Sequence, residues 1–170
     1  MTQVSLVEVG PRDGLQNEKE VLPLAIKKEL IEKLCATGLK RIEIGSFVSS
    51  KWVPQMADSK KLITEILLDQ SKFKPKAKTR FSALVPNQFG MDDAMMTGLK
   101  EVAIFTGTSE TFVQKNINCS IDESFKRFKK VMLSAKNKGI RVRGYLSTCF
   151  GCPYEGKVPI KKVIKLCEKL

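Results

Sequence analysis

An α/β fold built on a parallel sheet is what this sequence predicts, and three observations predict it. Short β-rich runs alternate with helical stretches from one end of the 170 residues to the other. Each helical stretch can serve as the crossover that two neighbouring parallel strands require. A hydrophobic content of 42% is enough to bury a core, in a chain whose length corresponds to one domain.

The elements follow in order. Residues 4–9 (VSLVEV) read as a first strand. Residues 24–37 read as a helix, with Ile26, Leu30, Ile31 and Leu34 at helical spacing, Pro23 at the start and Gly38 at the stop. Residues 41–45 (RIEIG) give a second strand and residues 55–69 a second helix. A third strand at 81–85 leads into a helix over 87–97 that Gly98 ends. A fourth strand at 102–106 precedes a long helix over 120–138, opened by the capping-box pattern Ser120-Ile121-Asp122-Glu123 and closed by Gly139. A fifth strand at 142–147 and a fifth helix at 159–170 complete the pattern, and the Lys/Pro-rich stretch 72–78 reads as a flexible loop. Five consecutive βα units fit either a doubly wound sheet, complete at this length, or a (β/α)8 barrel, which typically needs ~250 residues. Periodicity does not choose between them.

Composition excludes several classes. No run of ~18 apolar residues exists, so no membrane span is expected. The N-terminus has neither a signal-peptide nor a transit-peptide pattern, so a cytoplasmic protein is expected. Five cysteines (Cys35, Cys119, Cys149, Cys152, Cys167) without a secretory signal read as reduced thiols. The formal charge of +12 is spread over stretches that become solvated helix faces, and no nucleic-acid module is visible, so no nucleic-acid partner is expected. Histidine is absent altogether. A site here must therefore work with Arg, Asp, Glu, Lys and Cys, or be incomplete.

Functional groups of parallel α/β folds gather past the carboxyl ends of the strands. At those positions the sharpest feature is Arg12-Asp13 after the first strand. A guanidinium there can polarise a carbonyl and stabilise a developing enolate oxygen. The adjacent carboxylate suits a hard cation such as Mg2+ or Mn2+. Glu43, one strand over, can hold Arg12 through a charged hydrogen bond. The competing reading is a turn with a surface ion pair, and physics alone favours it.

The stretch Gly10-Pro11-Arg12-Asp13-Gly14-Leu15-Gln16-Asn17-Glu18 resembles the opening motif of metal-dependent lyase barrels. Residues 46–58 (SFVSSKWVPQMAD) narrow the resemblance to the hydroxymethylglutaryl-CoA lyase family, and residues 115–120 (KNINCS) and 143–157 (RGYLSTCFGCPYEGK) agree with it. What the resemblance implies is an incomplete (β/α)8 TIM barrel of about five of eight βα units, with residues 1–170 the N-terminal portion of the lyase domain. The implied reaction splits 3-hydroxy-3-methylglutaryl-CoA into acetyl-CoA and acetoacetate, and the basic surface suits such an acyl-CoA substrate. Arg12 is implied to bind the thioester carbonyl and stabilise the enolate. Glu43 is implied to orient it, Gln16 and Ser46 to line the substrate pocket, and Asp13 to ligate Mg2+ or Mn2+.

The family completes its metal site with a His-x-His pair and an asparagine, and carries a catalytic cysteine in a later loop; this sequence has none of these. The expectation is therefore a chain inactive alone, or else a non-catalytic partner subunit, with a homo-oligomer or a complementing C-terminal half covering its open edges. Cys152, in Gly151-Cys152-Pro153-Tyr154, imitates the catalytic loop but matches an earlier segment, so it is read as a structural thiol. Cys149-x-x-Cys152 lacks the second ligand pair of a zinc site, and Cys35 and Cys167 are expected to be packing residues.

Overall fold

The computed structural model describes residues 4–69, 73 and 79–170. Its sheet has four parallel strands in the order β1 (Arg41–Ser46), β2 (Arg80–Leu84), β3 (Glu101–Gly107) and β4 (Arg141–Ser147). The order follows the chain without reversal. A doubly wound sheet reverses at its switch point; unidirectional winding is that of a barrel sector, which settles what periodicity left open. Helix α1 (Leu24–Ala36) precedes β1, α2 (Ser59–Leu68), α3 (Gln88–Thr97), α4 (Glu110–Ile117) and α5 (Ile121–Lys138) lie between the strands, and α6 (Ile160–Lys169) follows β4.

Alternation along the strands separates two faces. Ile42, Ile44 and Ala83 turn towards α1 and α2, joining Ile31, Leu62, Ile63 and Ile66 in one fully buried cluster. Val102 and Ile104 join Met91, Val113, Phe125, Phe128 and Val131 beneath α3, α4 and α5 in a second. Burying a large aliphatic side chain contributes roughly 1.5–3 kcal/mol, so the helix-facing side stabilises the sector. The opposite face is polar and carries Glu43, Ser82, Arg143 and Tyr145.

The capping signals hold at atomic level. Ser120 Oγ accepts from the Glu123 amide at 3.1 Å, and Gly139, at φ +62°, ends α5. Asn87 Oδ1 accepts from Gly90 N at the start of α3.

Several expectations need correction. The first predicted strand is reduced to one parallel bridge, Glu8 to Ile42, with Glu8 N donating to Arg41 O and Glu43 N to Glu8 O. Among the described residues it pairs with β1 on one side only, and Val4 and Leu6 are exposed, so neither ladder nor packing extends it. The second helix starts at Ser59, because residues 54–56 form a separate 3-10 turn. The first helix buries Lys27, Ile31 and Cys35, leaving Ile26 exposed. Cys35 is a packing residue; Cys167 is exposed. Helix α4 was not anticipated, although Ser109 caps it by accepting from Phe112 N at 3.1 Å; its β-branched and aromatic residues hide the helical pattern. Of the predicted loop 72–78, only Phe73 falls among the described residues, and it is buried.

Candidate functional site

The Arg12-Asp13 motif is shaped by a π-helical turn over Gly10–Gly14. Pro11 fixes its entry, and the Arg12 and Asp13 amides both donate to Val9 O, at 3.0 and 2.6 Å. Such turns are rare and frequent at functional sites. Here the turn sends Arg12 across to β1 and leaves Asp13 half exposed at the rim.

Arg12 Nε donates to Glu43 Oε1 at 2.6 Å and Nη1 to Asp13 Oδ1 at 2.5 Å. Gln16 Nε2 donates to the same Asp13 oxygen at 3.1 Å, and Asn17 Nδ2 to the Asp13 carbonyl at 2.7 Å. The sequence-predicted pair of Arg12 and Glu43 is thus in direct contact, with Asp13 and Gln16 adjoining it.

Glu43 is completely buried. A carboxylate at that depth needs charged or hydrogen-bonded partners on both oxygens. The second oxygen finds them on the far strand: Arg143 Nη2 donates to Oε2 at 2.7 Å, and the Tyr145 hydroxyl donates to it at 3.0 Å. Arg143 Nη2 also reaches the Tyr145 oxygen at 2.7 Å. Burial, followed by the Glu43 charge, pushes the Tyr145 phenol up to about 12, so it stays a neutral donor. Ala103, the register partner of Arg143 on β3, leaves room for the arginine to cross. Arg143 Nε and Nη1 are buried without a hydrogen-bond partner. Each orphan donor costs about 1–3 kcal/mol, tolerated here because the same guanidinium neutralises Glu43. The motif over residues 143–157 contains Arg143 and Tyr145 but gives neither a role by itself. Their two-residue spacing on a strand, which places both on one face, was the available signal.

The network borders an open cavity of about 580 Å3. Arg12, Asp13, Gln16, Asn116 and Tyr145 are among its polar lining groups, with Phe105 and Phe112 among the apolar ones. Asn116 and Phe112 come from α4. Ser46 is not part of the lining. It is buried, its hydroxyl accepting from Val48 N at 3.3 Å and facing Leu84 O at 3.5 Å, so it shapes the end of β1 and not the cavity wall.

The second motif positions the first. The Gln55 side-chain amide donates to Glu18 O, and the buried Lys27 ammonium donates to Gln55 O and to Asp58 at 2.6 Å. Residues 46–58 are thereby tied both to the Arg12 loop and to α1. Cys152 also serves structure. Its thiol is buried and donates to Ser109 Oγ at 3.0 Å, while its backbone pairs with Gly156 in both directions. Burial pushes this thiol up, but its hydrogen bond with Ser109 and those with the Tyr154 and Glu155 backbone outweigh it and leave it below the ordinary thiol value. Cys149 bonds Leu146 O instead, so the two thiols do not act as a pair. Burial raises Cys149, and Cys35 rises further, to about 11.

For a divalent cation, the described residues contain no group of three or more His, Cys, Asp or Glu able to hold one. Asp13 is a single carboxylate whose Oδ1 already serves Arg12 and Gln16. These residues do not make a metal centre by themselves. No described helix is long and apolar enough to cross a membrane.

The chain's family and fold are shared with known proteins. The HMGL-like family model matches residues 3–170. The chain is 51% identical to the cytoplasmic 3-hydroxy-3-methylglutaryl-CoA lyase of Danio rerio, over 98% of its own length and 48% of that protein's. It is also 51% identical to the mitochondrial hydroxymethylglutaryl-CoA lyase of Bos taurus, over 99% of this chain and 50% of the other. Among solved structures, the hydroxymethylglutaryl-CoA lyase of Pseudomonas aeruginosa superposes with a TM-score of 0.87 at 46% identity, covering 98% of this chain and 53% of that one. An Acinetobacter baumannii HMG-CoA lyase in complex with coenzyme A and 3-methylmalate superposes with a TM-score of 0.87 at 31% identity, covering 99% and 54%. The chain spans about half the length of the curated relatives it matches.

Proposed function

The chain belongs to the HMGL-like family, and from that premise we propose that it carries the acyl-CoA-binding, enolate-stabilising part of a carbon–carbon lyase site acting on 3-hydroxy-3-methylglutaryl-CoA. The observation that carries this reading is the Arg12–Glu43 ion pair at the rim of an open cavity. Loss of the C3 hydroxyl proton with breaking of the bond between C2 and C3 forms the ketone of acetoacetate. It leaves the electron pair on the other fragment as a thioester enolate, which takes up a proton at C2 to become acetyl-CoA. A guanidinium beside the thioester oxygen stabilises that charge as it develops. Arg12 supplies the guanidinium, and Gln16 and Asn116 line the same cavity as donors for the substrate's oxygens. Glu43, with both oxygens engaged, works as an orienting group for Arg12 and not as a proton acceptor.

Family resemblance assigns Asp13 to Mg2+ or Mn2+. The chain offers one carboxylate for that purpose, so full activity on this reading requires groups it does not supply, from a complementing C-terminal half. The test is acetyl-CoA formation from 3-hydroxy-3-methylglutaryl-CoA with Mg2+, by the chain alone and mixed with the C-terminal half of a relative. Turnover is expected in the mixture and is expected to fall about 10²–10³-fold in Arg12→Gln, the loss typical of one oxyanion donor. Sustained turnover by the chain alone would remove the need for a second half. The absence of Arg12-dependent product in both samples would remove the lyase reading.

A second reading, a non-catalytic partner subunit, is favoured by the sheet's end. Among the described residues strand β4 pairs only with β3, and α6 leaves Ile160 and Ile164 exposed. Light scattering that finds a clean monomer, alone and with a full-length relative, would eliminate it.

A further inference from the structure

We infer that Arg143 and Tyr145 are positioning residues which hold Arg12 to Glu43 by one contact instead of two. A guanidinium beside an unobstructed carboxylate tends to take both oxygens through parallel N–H bonds. Arg12 does not: it reaches Glu43 through Nε on Oε1 alone, at 2.6 Å. The obstruction is visible, because Oε2 is occupied by Arg143 Nη2 at 2.7 Å and by the Tyr145 hydroxyl at 3.0 Å. These two groups also bond each other at 2.7 Å. Their side chains emerge on the same face of β4, two residues apart.

The consequence lies at the cavity. Held through Nε alone, Arg12 keeps Nη1 at the cavity rim, where it donates to Asp13 at 2.5 Å. Charge follows geometry. Arg12 and Arg143 share the single charge of Glu43, so the cluster keeps one positive charge, which only the rim carboxylate Asp13 offsets. Without Arg143, Glu43 would neutralise Arg12 outright and draw both of its bonding directions back into the sheet. A residue on the far strand thus decides whether the cavity presents a cation. The inference rests on the lyase reading for what Arg12 binds, but not for where Arg12 points.

Crystal structures of Arg143→Met and Arg143→Lys variants read that directly. In Arg143→Met, Arg12 is expected to take both Glu43 oxygens, with a terminal nitrogen within about 3 Å of Oε2. Lysine, whose ammonium can fill the vacated position, is expected to restore the single contact. In the complemented lyase assay, Arg143→Met should lower kcat about tenfold with KM within about twofold, and Arg143→Lys should recover most of the loss. Should Arg143→Met fail to fold, Tyr145→Phe removes one donor to Oε2 and is expected to shift Arg12 towards that oxygen. If Arg12 keeps its single contact in Arg143→Met, or in Tyr145→Phe where that variant stands in for it, the inference is overturned whatever the activity. A double contact in Arg143→Met, together with a wild type that makes no acetyl-CoA, upholds the inference and sinks only the lyase reading.

Discussion

Two loops at the carboxyl end of the sheet, both rich in Gly and Pro and both long motifs, have opposite fates. The turn Gly10–Gly14 aims charge outward: Arg12 lines the cavity and Asp13 stands half exposed. The loop 151–157 aims its reactive-looking groups back into the fold. There Cys152 donates to Ser109, Glu155 accepts from Thr111 N at 2.8 Å, and both contacts brace the first turn of α4. What separates the loops is the neighbour each one meets. The first faces a buried carboxylate that needs a cation; the second faces a helix N-terminus whose free N–H groups need acceptors. The comparison teaches that motif length marks constraint without saying whether the constraint is chemical or structural.

The difference can be broken at its strongest point. Glu43→Ala leaves two buried guanidiniums facing each other and should cost about 3–5 kcal/mol in urea unfolding, together with any Arg12-dependent turnover. A loss below about 1 kcal/mol would mean that the pair is not held as described. At the second loop, Ser109→Ala removes the α4 cap and the Cys152 partner together. It should cost about 0.5–2 kcal/mol, and it should leave the contact between Arg12 and Glu43 in place by crystallography.

Titration probes the first region alone. The sequence holds two tyrosines, so in a Tyr154→Phe background the ultraviolet tyrosinate signal reports Tyr145. It should appear near pH 12, against an ordinary value near 10. Because the folded value is the higher one, the stabilisation is complete below about pH 10 and is lost as pH rises towards 12. A midpoint at 10 would contradict the burial of that hydroxyl against Glu43. The smallest effect is expected at Cys152→Ala, which should leave turnover in the complemented assay within about twofold of wild type. A hundredfold loss would move Cys152 from structure to chemistry.

Much of this was legible in the letters. The α/β class, the long helix with its Ser120 and Gly139 caps, and the contact between Arg12 and Glu43 follow from periodicity, cap chemistry and motif. The first strand was overread because alternation from Val4 to Val9 cannot reveal that only one neighbour is present to pair with it. Ser46 was placed in the pocket from its motif, yet the register shift between Glu43 and Ser46 accompanies a buried hydroxyl turned to backbone partners. The role of Arg143 is not legible in the letters, since its partner Glu43 lies 100 residues away.

By itself, the sequence determined most of the strands and helices and which residue types stand at the strand ends, because hydrophobic spacing and caps are local. Only the tertiary structure decided the unidirectional strand order, the contact of Cys152 with Ser109 and the crossing of Arg143 to Glu43. Those depend on which strands become neighbours, and a buried charge finds its counter-charge through space, not along the chain.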